Sequence, residues 1–283
     1  MAPRSLDVIV FPFDLFGNAG CAAGAELLAD AIEEMCEDTD REPRPTRSHS
    51  FHERVEFQIH TFDDPASIQT WRETGAAAIR QALARKGFTL WLGGNHLSIL
   101  PVYEALKADD LIVQFDAHLD LFQLHDTTES LSHGNFLLHA KSRPRIVNVG
   151  HRDLITLPQD MRAVYDEAIP STNDSAAVIP VLKRHAKSAP RIWIDIDADV
   201  FDPSTCPAVH QRVPFGPMPL TVLSWIESIW SDKVVGCSIS EFDPGRDVQE
   251  TSLNLLGWLV EWLMLKVCES PRRSATARRG RRR

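Results

Sequence analysis

The stretch Val113–His133, VQFDAHLDLFQLHDTTESLSH, decides the fold. A short apolar run, Leu111–Phe115, stops abruptly at Asp116, His118 and Asp120, three metal-capable side chains at alternate positions. On an extended backbone alternate residues share one face, so all three can converge just past the end of a buried strand. The competing reading is a polar turn with solvated carboxylates. A second cluster weighs against it, because Asp195-Ile-Asp197-Ala-Asp199-Val-Phe-Asp202-Pro203 also follows an apolar run. Two carboxylate clusters at two strand ends call for a cation.

Outward from this stretch, apolar runs alternate with helical patterns. Strands are predicted at Leu6–Pro12, Val55–His60, Thr89–Leu92, Leu111–Phe115, Arg145–Val149, Arg191–Ile196 and Val234–Ser240. Helices are predicted at Ala22–Met35, Ile68–Lys86, Ser98–Lys107, around Asn135–Lys141, and at Ala176–Lys187, Leu220–Trp230 and Leu253–Val267. Cys36–Ser50, charged and containing proline, reads as a loop. This alternation predicts an α/β fold with a parallel sheet flanked by helices on both faces. Functional groups in such folds gather beyond the carboxyl ends of the strands. Four ends carry suggestive chemistry: Gly93-Gly94-Asn95-His96, the Asp116 cluster, the Asp197 cluster, and Glu241-Phe242-Asp243-Pro244. A lone His96 would more often be structural; its company makes it a ligand candidate.

Composition narrows the function classes. A chain of 283 residues with 43% hydrophobic residues can bury one large core, so 1–270 is expected to be one catalytic domain. The net charge of −9 is unevenly spread. Pro271–Arg283 holds seven Arg and no acid, leaving Met1–Ser270 with 23 basic against 39 acidic residues, or −16. Such a body repels nucleic acid and favours cationic ligands, while 271–283 reads as a basic, disordered tail. The five cysteines, odd in number and without CxxC spacing, read as reduced thiols of a cytoplasmic protein. Asp7 and Asp14 interrupt the first apolar run, which argues against a signal peptide. Leu253–Val267 is too short for a membrane span and contains Glu261. Trp71, Trp91, Trp193 and Trp225 read as core.

Hard carboxylates with a minority of imidazoles, and no thiolate, favour Mn²⁺-like ions over structural zinc. The carboxylates suffice for two divalent ions, and a pair of such ions would activate a water as nucleophile for hydrolysis. No competing GxSxG, P-loop or strand-borne GxGxxG motif is present in the sequence.

In this order and each after a strand, GGNH, FDAHLD, DIDADVFDP and SEFDP resemble the four signatures of the arginase (ureohydrolase) family. The resemblance covers roughly Leu90–Pro244, and the ordered set is far more specific than any piece. It implies a three-layer arginase-like fold and a binuclear manganese site, two Mn²⁺ per chain. By position, His96, Asp116, Asp120 and Asp197 would hold one ion. Asp116, His118, Asp197 and Asp199 would hold the other, with Asp116 and Asp197 bridging. His133 falls where the family has its proton-shuttling histidine, and Glu241 where it has the carboxylate that grips a guanidinium. The catalytic set so assigned is His133, Glu241 and Asp120.

The departures bear on substrate. Asn95 stands where the family usually has Asp, which would weaken support for His96. Asp195 stands where Ser is common and reads as an acceptor behind the ligands, a substrate contact or a capped turn residue. Where arginases hold the amino and carboxylate groups of free arginine, this chain has Phe122, Leu131 and Ile155. Apolar groups cannot satisfy a zwitterion. His125, Asp126 and Glu129 either line the entrance for a cationic substrate or form a solvated loop. The expectation is a manganese amidinohydrolase acting on peptidyl arginine, giving ornithine and urea, rather than on free L-arginine. The alternatives are an agmatinase-like hydrolase of another small guanidine and a non-catalytic arginase-like binding protein.

Overall fold

The computed structural model describes residues 4–41, 52–121, 130–154, 162 and 164–268. Expectations for Phe122, His125, Asp126, Glu129, Ile155 and the 271–283 tail lie outside them. The strands are β1 (Leu6–Phe11), β2 (Val55–Ile59), β3 (Phe88–Gly93), β4 (Leu111–Phe115), β5 (Arg145–His151), β6 (Glu167–Pro170), β7 (Ile192–Asp197) and β8 (Val234–Ser240). They form one sheet in the order β2-β1-β3-β8-β7-β4-β5-β6, every pair parallel. The described α-helices are α1 (Cys21–Arg41), α2 (Pro65–Gln69), α3 (Trp71–Arg85), α4 (Leu100–Ala105), α5 (Ser175–Ser188), α6 (Pro219–Ile229) and α7 (Thr251–Cys268).

Alternation along the strands builds two cores. Val8, Val10, Leu90, Leu92, Val113, Phe115, Ile194 and Ile196 face one way, against Leu28 of α1, Leu182 of α5, Trp225 of α6 and Met264 of α7. Ile9, Trp91, Ile112, Ile146 and Trp193 face the other, against Ile79 of α3 and Val102 of α4. Period-two side-chain direction on a sheet covered on both sides gives three layers, as expected. The expected core tryptophans are buried. No described helix is long and apolar enough to cross a membrane, and none of the five cysteines is in a disulfide.

Several elements differ from the sequence expectations. The helix expected at Ile68–Lys86 is two: Asp64 and Ser67 form a capping box that starts α2, and Thr70 ends it with its hydroxyl donating back to the Ala66 carbonyl at 2.9 Å. The loop expected at Cys36–Ser50 begins later, because α1 runs on to Arg41, ahead of Pro43. Instead of a helix around Asn135–Lys141 there is a single 3₁₀ turn, Phe136–His139. The Asn135 side chain accepts from Ser132 N at 2.8 Å and donates to Ser130 O at 2.7 Å, so it secures the preceding loop rather than starting a helix. Strand β6 has no counterpart among the sequence expectations, since a four-residue, half-buried edge strand carries little alternation.

Candidate metal centre

The four central strands, β3, β8, β7 and β4, end on the same side of the sheet. Phe115, Ile196 and Ile239 share one rung, so Asp116, Asp197 and Ser240 leave the sheet together. His96 follows β3 after Gly94, whose missing side chain lets the Phe13 backbone pass; a Cβ there would stand 2.3 Å from Phe13 O. Glu241 follows β8, with its N–H donating to Gly94 O at 2.9 Å. Asp120 and Glu241 hold left-handed backbones, φ 48° and 64°, uncommon for residues other than glycine.

The structure brings the expected acids and imidazoles together. His96 Nδ1 lies 2.6 Å from Asp120 Oδ2 and 3.3 Å from both Asp116 Oδ2 and Asp197 Oδ2. His118 Nδ1 lies 2.8 Å from Asp199 Oδ2 and 3.8 Å from Asp116 Oδ1. Two groups, His96–Asp116–Asp120 and Asp116–His118–Asp199, each converge their donor atoms to within 4.8 Å, with Asp116 common to both. Asp197 closes the space between them, its Oδ1 accepting from Asp199 N at 2.8 Å. Backbone amides fix the other oxygens: His118 N donates to Asp116 Oδ1 at 2.6 Å and Ala117 N to Asp199 Oδ1 at 3.1 Å.

The electrostatics are those of a site built around positive charge. Burial, then the nearby Asp120, raises Asp116 to about 8. Burial, with Asp199 and Asp116 beside it, pushes Asp197 well above the carboxylate range. Burial works against charge on His118, yet Asp199 lifts it to about 10. Burial likewise opposes Asp199, but His118 holds it at about 2. His96 Nδ1, Asp116 Oδ2 and Asp120 Oδ2 are buried and have no hydrogen-bond partner outside the cluster. Unpaired buried acceptors facing one another are costly, and a divalent cation between them satisfies all at once. The donor set therefore fits hard metal ions.

Glu241, nearly fully buried, borders the cluster: its Oε1 accepts from His96 N at 2.8 Å and its Oε2 from Asn18 Nδ2 at 2.7 Å. Burial raises its pKa, while His133 and these donors pull it down. Cys21 Sγ also approaches Oε2, at 3.7 Å, and burial followed by the Glu241 charge raises the thiol's pKa, so it stays a donor. His133 sits on the loop secured by Asn135, its N–H donating to Phe16 O at 3.2 Å. Its Nδ1 is buried against Gly17 without a hydrogen-bond partner, and its Nε2 lies 3.5 Å from Gln211 Nε2. Asn18 and Gly17 were not singled out from sequence; their only signal was the turn Gly17–Gly20 after β1.

The arginase family model matches residues 4–265. The chain belongs to the arginase family. Among arginase-family relatives it is 29% identical to the mitochondrial arginase of Medicago truncatula, over 57% of this chain and 50% of that protein. It is 28% identical to an agmatinase of Chromobacterium violaceum, over 60% of this chain and 55% of that protein. The matched stretch thus spans about half the length of each of these two relatives. An N(omega)-hydroxy-L-arginine amidinohydrolase of Streptomyces lavendulae is 29% identical over 66% of this chain and 74% of its own. The arginase fold is shared with the agmatine ureohydrolase structure of Thermoplasma volcanium, TM-score 0.74 at 20% identity, covering 94% of this chain and 90% of that one.

Within this arginase-family fold Asn95 does not support His96. It is buried with its side-chain Nδ2 donating to Leu15 O at 3.1 Å, a bond that an Asp carboxylate could not donate. Leu131 packs, partly buried, against the core cluster containing Phe136.

Proposed function

We propose that this protein is a manganese-dependent amidinohydrolase that splits a guanidino group into an amine and urea. The reading rests on two ligand groups sharing Asp116, with the Glu241 carboxylate beside them. His96, Asp116, Asp120 and Asp197 would hold one ion, and Asp116, His118, Asp197 and Asp199 the other. When bound, the pair supplies Lewis acidity and makes water a nucleophile near neutral pH. Glu241 orients the substrate: a carboxylate meets two N–H groups of a planar guanidinium and aims its carbon at the cluster. The amide of His96 and the side chain of Asn18 each hold one Glu241 oxygen in place. The arriving cation favours the ionised carboxylate over the protonated form that burial promotes. His133 exchanges a proton at Nε2, since Nδ1 is packed against Gly17, and delivers it to the departing amine.

The substrate favoured is an arginine within a peptide, or otherwise derivatised, rather than free L-arginine. Phe122, Leu131 and Ile155 offer no hydrogen bond to an α-amino or α-carboxylate group. A small decarboxylated guanidine is the second reading, favoured by likeness to relatives named agmatinase. Urea release across a panel of guanidines with added Mn²⁺ tests both. Peptides with internal arginine should be turned over far better than free arginine, with arginine-to-ornithine conversion seen by mass spectrometry. Preference for agmatine would select the second reading, and efficient turnover of free arginine alone would refute the substrate argument. Guanidine binding without urea would mark a non-catalytic binding protein.

A further inference from the structure

The two ring nitrogens of His96 face different surroundings. Nδ1 points among Asp116, Asp120 and Asp197. Nε2 points down into the sheet, 3.0 Å from Asp195 Oδ2. Asp195 lies on β7 two residues before Asp197, so its side chain shares that face one pleat deeper, fully buried. In the sheet register it stands opposite Ser238 of β8 and Gln114 of β4. A carboxylate so deep needs donors, and it has them. Tyr103 OH donates to Oδ2 at 2.7 Å, and Ser238 Oγ donates to Oδ1 at 2.6 Å. Ser238 Oγ in turn accepts from Trp193 Nε1 at 2.9 Å. Phe136 packs edge-on against the imidazole, ring centroids 5.0 Å apart, and restricts the plane of the ring.

We propose that Asp195 is a positioning residue that keeps a proton on His96 Nε2 and so leaves Nδ1 as a lone pair aimed into the cluster. The proposal rests on the metal reading above. A neutral imidazole has one N–H, and the hydrogen bond made by one nitrogen decides which nitrogen can ligate. With no acceptor at Nε2, the three carboxylates around Nδ1 would draw the proton to that side, where it competes with a cation for the same lone pair. A charged acceptor at Nε2 opposes this, fixes the ring's rotation and makes it a stronger donor. Tyr103 and Ser238 hold the acceptor, so the support reaches His96 from α4, β7 and β8 at once. Asn95 takes no part, its amide being directed to Leu15.

Manganese titration of the metal-free protein, with the unbound aquo ion counted by its EPR signal, tests this without turnover. Asp195→Asn keeps the volume and removes the charge. It should weaken one of the two ions, the one shared by His96, Asp116 and Asp120, by about 10- to 100-fold, leaving the other near its wild-type affinity. Tyr103→Phe removes one donor from Asp195 and should cause a smaller loss at the same step; it decides the matter if Asp195→Asn does not fold. Wild-type affinity at both steps in the folded variants would overturn the positioning role while the proposed activity stands. Equal weakening of both ions would also overturn it, as a general disturbance of the sheet. A wild-type protein that binds no manganese would overturn the metal reading and this proposal together.

Discussion

Gly17→Ala reaches the reaction through one atom. A Cβ at position 17 would stand 2.0 Å from His133 Nδ1 and 2.5 Å from its Cγ. Ordinary contact begins near 3.4 Å, so the imidazole must retreat by about 1.4 Å or turn aside, given that contact distance. It cannot slide freely, because its own amide is tied to Phe16 O and Asn135 secures the loop below it. Gly17 does not adopt a left-handed backbone, so the effect of alanine falls on the His133 side chain, whose Cβ would also lie 2.9 Å away. Misplacement by about 1 Å costs on the order of 10²-fold in rate, and removing a general acid–base group altogether costs about 10²–10⁴-fold. Gly17→Ala should therefore lower kcat by about 10²-fold, or about 2.7 kcal/mol of barrier, approaching the loss in His133→Ala. The two changes combined should cost little more than His133→Ala alone. Steady-state urea release, with manganese content measured on the same samples, checks this. A Gly17→Ala protein with the wild-type rate, or one that loses its metal, would show that His133 does not act from the position seen here.

Glu241→Gln should nearly eliminate turnover on every guanidine substrate, while two manganese ions still bind; unequal losses among substrates would show that another group holds the guanidinium. Without metal, stability should fall as pH rises. Asp116, ordinarily 3.8 but about 8 in the fold, and His118, ordinarily 6.5 but about 10, both bind protons more tightly folded than unfolded. Their contributions are present below the ordinary values and lost on the way to the raised ones, so the decline is steepest where the windows overlap, between 6.5 and 8. Each extra proton held by the folded state contributes a slope of about 1.4 kcal/mol per pH unit. Thermal unfolding in chelator should show the decline, and saturating manganese should remove it by displacing the protons; a flat or rising profile in chelator would contradict the burial argument.

The candidate ligands were legible in sequence because each follows an apolar run that ends in a cluster of charge. Asp116 and Asp197, and beside them the guanidinium-facing candidate Glu241, stand where hydrophobic patterning stops, and a change of pattern is what a single sequence displays. The groups that hold them were less legible. Asp195, Ser238 and Gln114 sit inside strands, and only the sheet order reveals that they share a rung. Asn18 meets Glu241 across 223 positions, and no local pattern announces such a pair. Local hydrogen bonding misled at Asn135, whose side chain closes a loop where a helix was expected. At position 95 the side chain turns to Leu15 rather than to His96, and the contact to the His96 ring comes from Asp195 on a different strand.

The central strands that end at the cluster also say something about the order in which the chain can become functional. His96 and Glu241, in direct contact, are 145 positions apart, and β3 reaches its neighbour β8 only after four other strands have been synthesised. In an all-parallel sheet such pairings close late, since long loops must be ordered before they are rewarded. A partial product lacking β7 lacks Asp197 and Asp199, and one lacking β8 lacks Glu241 and the strand that joins β3, which leads to His96, to β7, so a nascent or truncated chain cannot assemble the full site. A cation that needs the full set would act as a latch on the finished sheet rather than a seed for it.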